Sequence, residues 1–198
     1  MNTSLETVVA KARACIVCKD KFAHLPRPVL QCGSRARILI AGQAPGRKVQ
    51  ETGVPFDDAS GDRLRDWMGI DKAVFYNAQK IAILPMGFCY PGTGKSGDLP
   101  PRPECAPLWR QPILEALPHV KLTLVIGQYA IAWHMREVKK QPLTETVRGW
   151  RNYIGNGMLP LPHPSPRNNI WMAKNDWFAN DVLPTLKEKV SELLLAHP

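Results

Sequence analysis

Cysteine is the residue type in this 198-residue chain best equipped for chemistry, and there are five. Cys15 and Cys18 form a Cys-x-x-Cys pair near the N-terminus, Cys89 and Cys105 lie far downstream in a Pro/Gly-rich stretch, and Cys32 stands apart. The opening residues Met1-Asn2-Thr3-Ser4-Leu5-Glu6 lack the basic-then-apolar layout of a secretion signal, so a disulfide framework is not expected. Metal binding, reactivity or simple burial remain open. Four thiolates from two distant segments can close a tetrahedral zinc site or a cubane iron–sulfur cluster, because soft sulfur ligands suit both. A thioredoxin-like redox role asks for a strand-to-helix context, whereas this pair precedes the first convincing strand.

A second group of residues invites a nucleotide reading and fails it. Pro91-Gly92-Thr93-Gly94-Lys95-Ser96 looks like the core of a phosphate-binding loop. The full pattern needs Gly five residues before Gly94, where Cys89 stands, and Pro100, Pro101 and Pro103 deny the helix whose N-terminus would hold the phosphate. No buried strand leads into it, and the nucleotide reading is set aside.

The elements that position these groups are built from short apolar runs. Ala36-Arg37-Ile38-Leu39-Ile40-Ala41-Gly42 reads as a buried strand entering a loop, and residues 1–35 before it as an N-terminal accessory segment. Ser60 to Met68 puts Leu64 and Trp67 at helical spacing behind a Ser60 cap. Ala73-Val74-Phe75-Tyr76-Asn77 predicts a second strand. Pro85 to Pro107 predicts a long loop, and since structureless loops of this length are uncommon in compact domains, something must hold it; a metal would. Leu108 to Leu117 is the next helix, limited by Pro112 to a start near that residue. Leu122 to Gly127 is the clearest buried strand, Gln128 to Arg136 the helix behind it, and Leu159 to His163 a last short strand running into a polar loop. Asp181 to Leu195 places Val182, Leu186, Val190, Leu193 and Leu194 on one amphipathic face.

Strands alternating with helices predict an α/β fold, a three-layer α/β/α sandwich with a central, mostly parallel four-stranded sheet and ligands at the carboxyl ends of its strands. One domain over residues 1–198 is expected. Hydrophobic residues at 44% against 22% charged exclude a disordered chain, and no apolar run approaches the roughly 18 residues that cross a bilayer. An intracellular protein without a membrane partner is expected. Lys and Arg number 26 against 17 Asp and Glu, a formal charge of +9 that attracts polyanions, so nucleic acid is the first partner to consider.

Three strand-end segments then line up. Gly42-Gln43-Ala44-Pro45-Gly46 follows the first strand, Gly53-Val54-Pro55-Phe56 comes shortly after, and His163-Pro164-Ser165-Pro166-Arg167 follows the last. From about Ala36 to Trp171 the chain resembles the uracil-DNA glycosylase superfamily. Its first motif takes forms such as Gly-Glu-Ala-Pro-Gly, a Gly-x-Pro-Phe follows, and its closing motif is His-Pro-Ser-Pro. Between them the family places an Asn at a strand end, and Asn77 matches in kind and order. Cys15, Cys18, Cys89 and Cys105 are similar in order to the ligands of the family's iron–sulfur (family 4-like) class, with a longer gap between Asn77 and Cys89.

The resemblance implies a monofunctional DNA N-glycosylase of base excision repair. It would hydrolyse the bond between uracil, or a related deaminated base, and deoxyribose by water attack, leaving an abasic site. The base must leave the stack for its bond to be reached. Phe56 would stack on the flipped ring, and Gln43 and Ala44 would face it. Asn77 would read its edge, because an amide offers donor and acceptor together. His163 would donate to uracil O2 as charge develops on the departing base. Pro164, Ser165 and Pro166 would press on the DNA backbone, Arg167 would wedge into the vacated stack, and Lys95 and Arg102 would meet phosphate. The four cysteines would hold a structural 4Fe-4S cluster, with structural zinc as the alternative.

Gln43 departs from the family pattern. Related enzymes carry Asp or Glu there to position the attacking water and stabilise the cationic sugar, neither of which Gln can do by charge, although Gln43 can orient a water. Asp57 and Asp58, next to Phe56, are the substitutes, and Asp58 is favoured because some members use an Asp in a similar Asp-x-Ser setting. The other reading of either is a helix-start carboxylate favoured by the dipole. A catalytically weak lesion-binding protein of the same fold and an RNA-binding module are the alternatives to a glycosylase. The expected partner is DNA containing a damaged base, met by a monomer.

Overall fold

In the computed structural model, residues 4–95 and 97–195 are described; Met1–Thr3, Ser96 of the glycine-rich turn and residues 196–198 lie outside them. Six strands are β1 (Ile38–Ala41), β2 (Ile81–Ile83), β3 (Thr93–Gly94), β4 (Gly97–Asp98), β5 (Leu122–Ile126) and β6 (Met158–Leu161). The α-helices among the described residues are α1 (Leu5–Arg13), α2 (Arg47–Thr52), α3 (Ala59–Met68), α4 (Lys72–Phe75), α5 (Gln111–Glu115), α6 (Gly127–His134), α7 (Leu143–Arg148), α8 (Arg151–Ile154), α9 (Asn169–Lys174) and α10 (Leu183–Leu195). Four strands form one sheet in the order β2-β1-β5-β6, and every neighbour pair is parallel. Ile38 sits opposite both Ile81 and Leu122, and Leu124 opposite Leu159. Pro160 is tolerated because β6 is an edge strand, where a missing N–H costs no ladder bond.

Side-chain alternation along the strands builds the layers. Ile38, Ile40, Ile81, Ile83, Leu122, Leu124 and Leu159 pack with Leu64 and Trp67 of α3, Val147 of α7 and Leu186 and Val190 of α10. On the opposite face Leu39 and Ala82 meet Leu5, Val8 and Val9 of α1 and Ile113 of α5. Ala41 and Val125 meet Ala130 and Ile131 of α6 there. The three-layer α/β/α sandwich is therefore present, with its sheet parallel throughout. No helix among the described residues is long and apolar enough to cross a membrane.

The expected strand over Ala73–Asn77 is a correction. The Asp71 carboxylate accepts from the Val74 N–H at 2.7 Å and caps the single helical turn of α4, leaving Asn77 exposed in the turn that follows. The aromatic and β-branched run Val74-Phe75-Tyr76 imitates a strand, but Phe75 is buried by edge-on packing against Phe56 and Tyr76, not by sheet pairing. The second strand is β2, three residues long, and its outer edge is covered. Gln31 and Ile83 exchange backbone hydrogen bonds of 2.9 and 2.7 Å, while Gln31 Nε2 donates to the Phe75 and Ile81 carbonyls at 3.0 and 2.8 Å. The N-terminal segment is thus part of the sandwich.

The helix expected over Leu108–Leu117 begins earlier and wider, as a π-helical turn over Ala106–Arg110 that runs into α5. The turn buries Arg110, whose Nη1 donates to the Leu84 and Pro85 carbonyls and whose Nη2 meets His134 Nε2. Burial, aided by the Arg110 charge, pulls the His134 imidazole down to about 3, so it is a neutral acceptor.

Two stability measurements follow from this packing. Leu186→Ala opens a cavity between α10 and α3 and should cost about 2–5 kcal/mol in a denaturant titration. His134 ionises near pH ~6.5 in the unfolded chain. Unfolding therefore takes up a proton between that value and about 3, so stability is full above the upper limit and falls with acidification through the window. Denaturant titrations from pH ~7 to ~4 should show that slope, and His134→Gln should flatten it.

Candidate active site

The loop after β1 is held by the chain that follows β2. Leu84 N–H donates to Ile40 O at 2.9 Å, Met86 N–H to Gly42 O at 2.8 Å and Gly87 N–H to Gln43 O at 2.9 Å, continuing the β1–β2 ladder beyond the sheet. A cavity of about 470 Å³ opens at this end, within the range of small-ligand sites. Gly42, Gln43, Ala44, Phe56, Asp58, His163 and Arg167 line it, so residues from all three motif segments meet in one place.

Phe56 is held against its own backbone preference. Its φ of 54° lies in the left-handed region, the one such non-glycine among the described residues. Arg65 Nη1 and the Tyr76 hydroxyl both donate to the Phe56 carbonyl at 3.4 Å. Gly61, in the first turn of α3, lets that carbonyl approach, because a Cβ there would lie 1.8 Å from the oxygen. The ring tip reaches Gly42, within 3.6 Å of where a Cβ would stand. Loop, strain and glycine together hold the Phe56 ring in the wall of the cavity.

His163 follows β6 and is fixed in one tautomer. Its Nδ1 accepts from the Ser165 backbone N–H at 3.2 Å, which leaves Nε2 to carry the proton. Asn168 Nδ2 donates to the His163 carbonyl at 2.7 Å, and Arg63 Nη1 to the Ser165 carbonyl at 3.1 Å. Burial holds the imidazole below its ordinary value against the opposing pull of Asp58 and Asp98, so the ring is a neutral donor. Ser165 Oγ accepts from the Arg167 N–H at 3.2 Å, Pro164 is buried, and Pro166 and Arg167 are exposed.

Two carboxylates share the cavity with His163. Asp58 is the N-cap of α3, and its Oδ1 accepts from Gly61 N–H at 2.9 Å, so capping occupies one oxygen and leaves the other. Asp98 is the residue the sequence reading missed. It stands on the β3–β4 hairpin, above Gly46, with its Oδ2 3.7 Å from the position of a Cβ there. The near-palindrome of turn residues from Gly94 to Gly97 was the signal for that hairpin, read instead as a failed phosphate loop. Gln43 Nε2 donates to Leu99 O at 3.4 Å just beyond it. Asp57 is absent from the lining and faces Tyr76, whose hydroxyl is raised by burial, with Arg65 opposing and Asp57 adding.

Two other expected contacts fall elsewhere. Asn77 Oδ1 accepts from Gln79 N–H at 3.0 Å and is spent on a turn outside the cavity; the end of β2 presents Ile83 and Pro85 to it instead. The amides that line the cavity are Gln43 and Asn168. Arg102 is paired with Glu104 at 2.9 Å, and Lys21 joins the same carboxylate. Hydrogen bonds from Arg102 and then Lys21 hold Glu104 down to about 2. Lys95 is exposed in the hairpin turn.

Cys15, Cys18, Cys89 and Cys105 do come together, around a second and apolar pocket that Phe22, Pro26 and Trp109 also line. Burial pushes Cys89 up to about 12 and Cys105 up to about 11, and raises Cys18. Phe88 N–H donates to Cys105 Sγ at 3.3 Å, and the Trp109 Nε1 is buried without a partner among the described residues. Sulfur-rich, apolar and furnished with N–H donors, the pocket fits a thiolate-bound centre. Among the described residues no three His, Cys, Asp or Glu side chains converge as they would on a single ion. Cys32 lies outside this ring, in the α1–α5 layer.

A parallel α/β/α sandwich whose strand-end loops surround one cavity with an aromatic ring, a neutral imidazole and carboxylates defines the class: an α/β protein with a small-ligand-sized cavity at the carboxyl edge of its sheet. The sequence model of the Uracil DNA glycosylase superfamily matches residues 30–187, well over half of the chain, and the chain belongs to that superfamily. A uracil-DNA glycosylase-like function in general, that of a DNA-repair hydrolase, comes with this membership.

The tight packing under Phe56 can be checked directly. Gly61→Ala should force the Phe56 carbonyl away and destabilise the fold by about 1–3 kcal/mol, read from a denaturant midpoint, as overpacking does.

Proposed function

We propose that the protein is a monofunctional DNA glycosylase that removes uracil or a related deaminated base from DNA, acting as a monomer. The observation that carries this reading is His163: a neutral imidazole, its Nδ1 occupied by the Ser165 N–H, sharing one cavity with Phe56 and Asp58. The flipped base stacks on Phe56, and Gln43, in place of Asn77, is the amide that meets its edge, with Ala44 beside it. As the C1′–N1 bond breaks, its electron pair passes to the base, and His163 Nε2–H donates to O2 where the charge accumulates. Water oxygen bonds to C1′ and gives its proton to a carboxylate. Asp58 takes that part, because its second oxygen is free of the helix cap. The departing base takes a proton from solvent, and an abasic site remains. Arg167 enters the vacated stack while Lys95 meets phosphate.

Cys15, Cys18, Cys89 and Cys105 would hold a 4Fe-4S cluster, with zinc as the alternative. Its role is structural, tying the N-terminal segment to the chain between β2 and α5.

Oligonucleotides carrying one uracil, hypoxanthine or xanthine test the reaction. His163→Ala should lower single-turnover excision about 10²–10³-fold, as loss of an oxyanion donor does. Asp58→Asn should lower it about 10²–10⁴-fold, with Asp57→Asn within about threefold of the native protein. Tight binding of a uracil-containing strand without any product would replace the enzyme reading with that of a lesion-binding protein, and make Gln43 its cause.

A further inference from the structure

Arg110 carries a charge that no anion in the described structure answers. It is fully buried, and its partners are the Leu84 and Pro85 carbonyls, the latter at 2.9 Å, and the neutral His134 ring. Its Nε has no partner, and every ion pair among the described residues joins other side chains. Desolvation pulls the guanidinium down to about 10, with the Cys105 and Cys32 thiols acting in the opposite direction. A neutral amide would satisfy the same carbonyls at far lower desolvation cost. A buried cation here therefore calls for a negative group nearby.

The groups that can supply it are thiols. Cys105 precedes the π-helical turn and Arg110 ends it, and the wide i→i+5 winding keeps Arg110 nearer to the cysteine's side than an α-turn would. Trp109, between them, lines the four-cysteine pocket and has its own buried, unpartnered N–H. The indole donor lines the pocket, and Arg110 lies behind it, outside the lining, where Cys105 is the ligand-set thiol that acts on its charge.

We propose that Arg110 is the counter-cation of a negatively charged metal–tetrathiolate centre held by Cys15, Cys18, Cys89 and Cys105. Through its grip on the Leu84 and Pro85 carbonyls it ties that centre to the wall of the base cavity, which Pro85 lines. The inference rests on reading the four cysteines as a metal site and goes beyond it by assigning a residue outside the ligand set. Four thiolates leave a net negative charge around either a 4Fe-4S core or a zinc ion, so the assignment is the same for both.

The test uses the full-length protein as purified under anaerobic conditions, with iron, sulfide and zinc measured first. A native protein free of all three removes the metal reading, and the counter-cation with it. In the loaded protein, transfer of metal to excess chromogenic chelator is timed for the native chain and for Arg110→Gln, Arg110→Met and Arg110→Lys. Loss of the charge should speed release at least about tenfold in Gln and Met, while Lys, which keeps the charge but loses the planar fork, stays within about threefold. If Gln and Met yield no folded protein while Lys yields loaded protein, the charge is again what the centre requires. Release at the native rate in Gln and Met overturns the proposal, as does equal acceleration or equal failure in all three, since packing and not charge would then be at work.

Discussion

Two backbone hydrogen bonds, from Met86 to Gly42 and from Gly87 to Gln43, are the constraint on which the rest of the site depends. They carry the β1–β2 pairing past the last strand residue and so fix the first-motif loop as rigidly as the sheet itself. Gly87 is required at that point, because a Cβ would come within 2.9 Å of the Pro101 side chain. The chain leaving this clamp then supplies Cys89, the β3–β4 hairpin with Asp98, and Cys105. A single short ladder thus registers the strand-end cavity, the hairpin above it and the four-cysteine pocket against one another.

Strain at Phe56 is sustained by the same economy. A left-handed aromatic residue costs of order 1–3 kcal/mol and persists only where its surroundings over-determine it. Here two donors, Arg65 and Tyr76, hold the carbonyl, and α3 begins with a cap from Asp58 and a glycine at Gly61 that permit contact. Asp58 is therefore both the start of the helix and a wall of the cavity. Its position is set by a backbone requirement, which gives a carboxylate in a fixed place without a dedicated scaffold.

Electrostatics divide the molecule in a way its overall charge conceals. The formal net charge is +9, a balance that attracts polyanions. Inside, charge is sparse: His163 is neutral because burial outweighs the pull of Asp58 and Asp98, His134 because burial and the Arg110 charge act together, and the buried cations are Arg65, paired with Asp62, and Arg110. Neutral His163 is what a hydrogen-bonding electrophile needs, since its donor is set by the Ser165 N–H on the opposite ring nitrogen and does not depend on taking up a proton.

Periodicity and composition were enough for the α/β class, because buried strands such as Leu122–Ile126 are continuous apolar runs and α10 shows its face at helical spacing. The glycine- and proline-rich strand-end motifs were legible because their spacing resembles that of the uracil-DNA glycosylase superfamily, and that resemblance pointed to Gln43, Phe56 and His163, which the structure brings to one cavity. What sequence alone misplaced or missed was decided by contacts between distant segments. Val74-Phe75-Tyr76 has strand-like side chains, but their burial against Phe56 and the Asp71 cap make a helical turn of them, which takes Asn77 away from the cavity. Asp98 enters only because β3 and β4 pair back over Gly46, and Arg102 is held by its near neighbour Glu104, a carboxylate that Lys21 joins from the N-terminal segment. Local conformation is written in neighbouring residues, whereas which side chain faces a cavity depends on the packing of the whole sandwich.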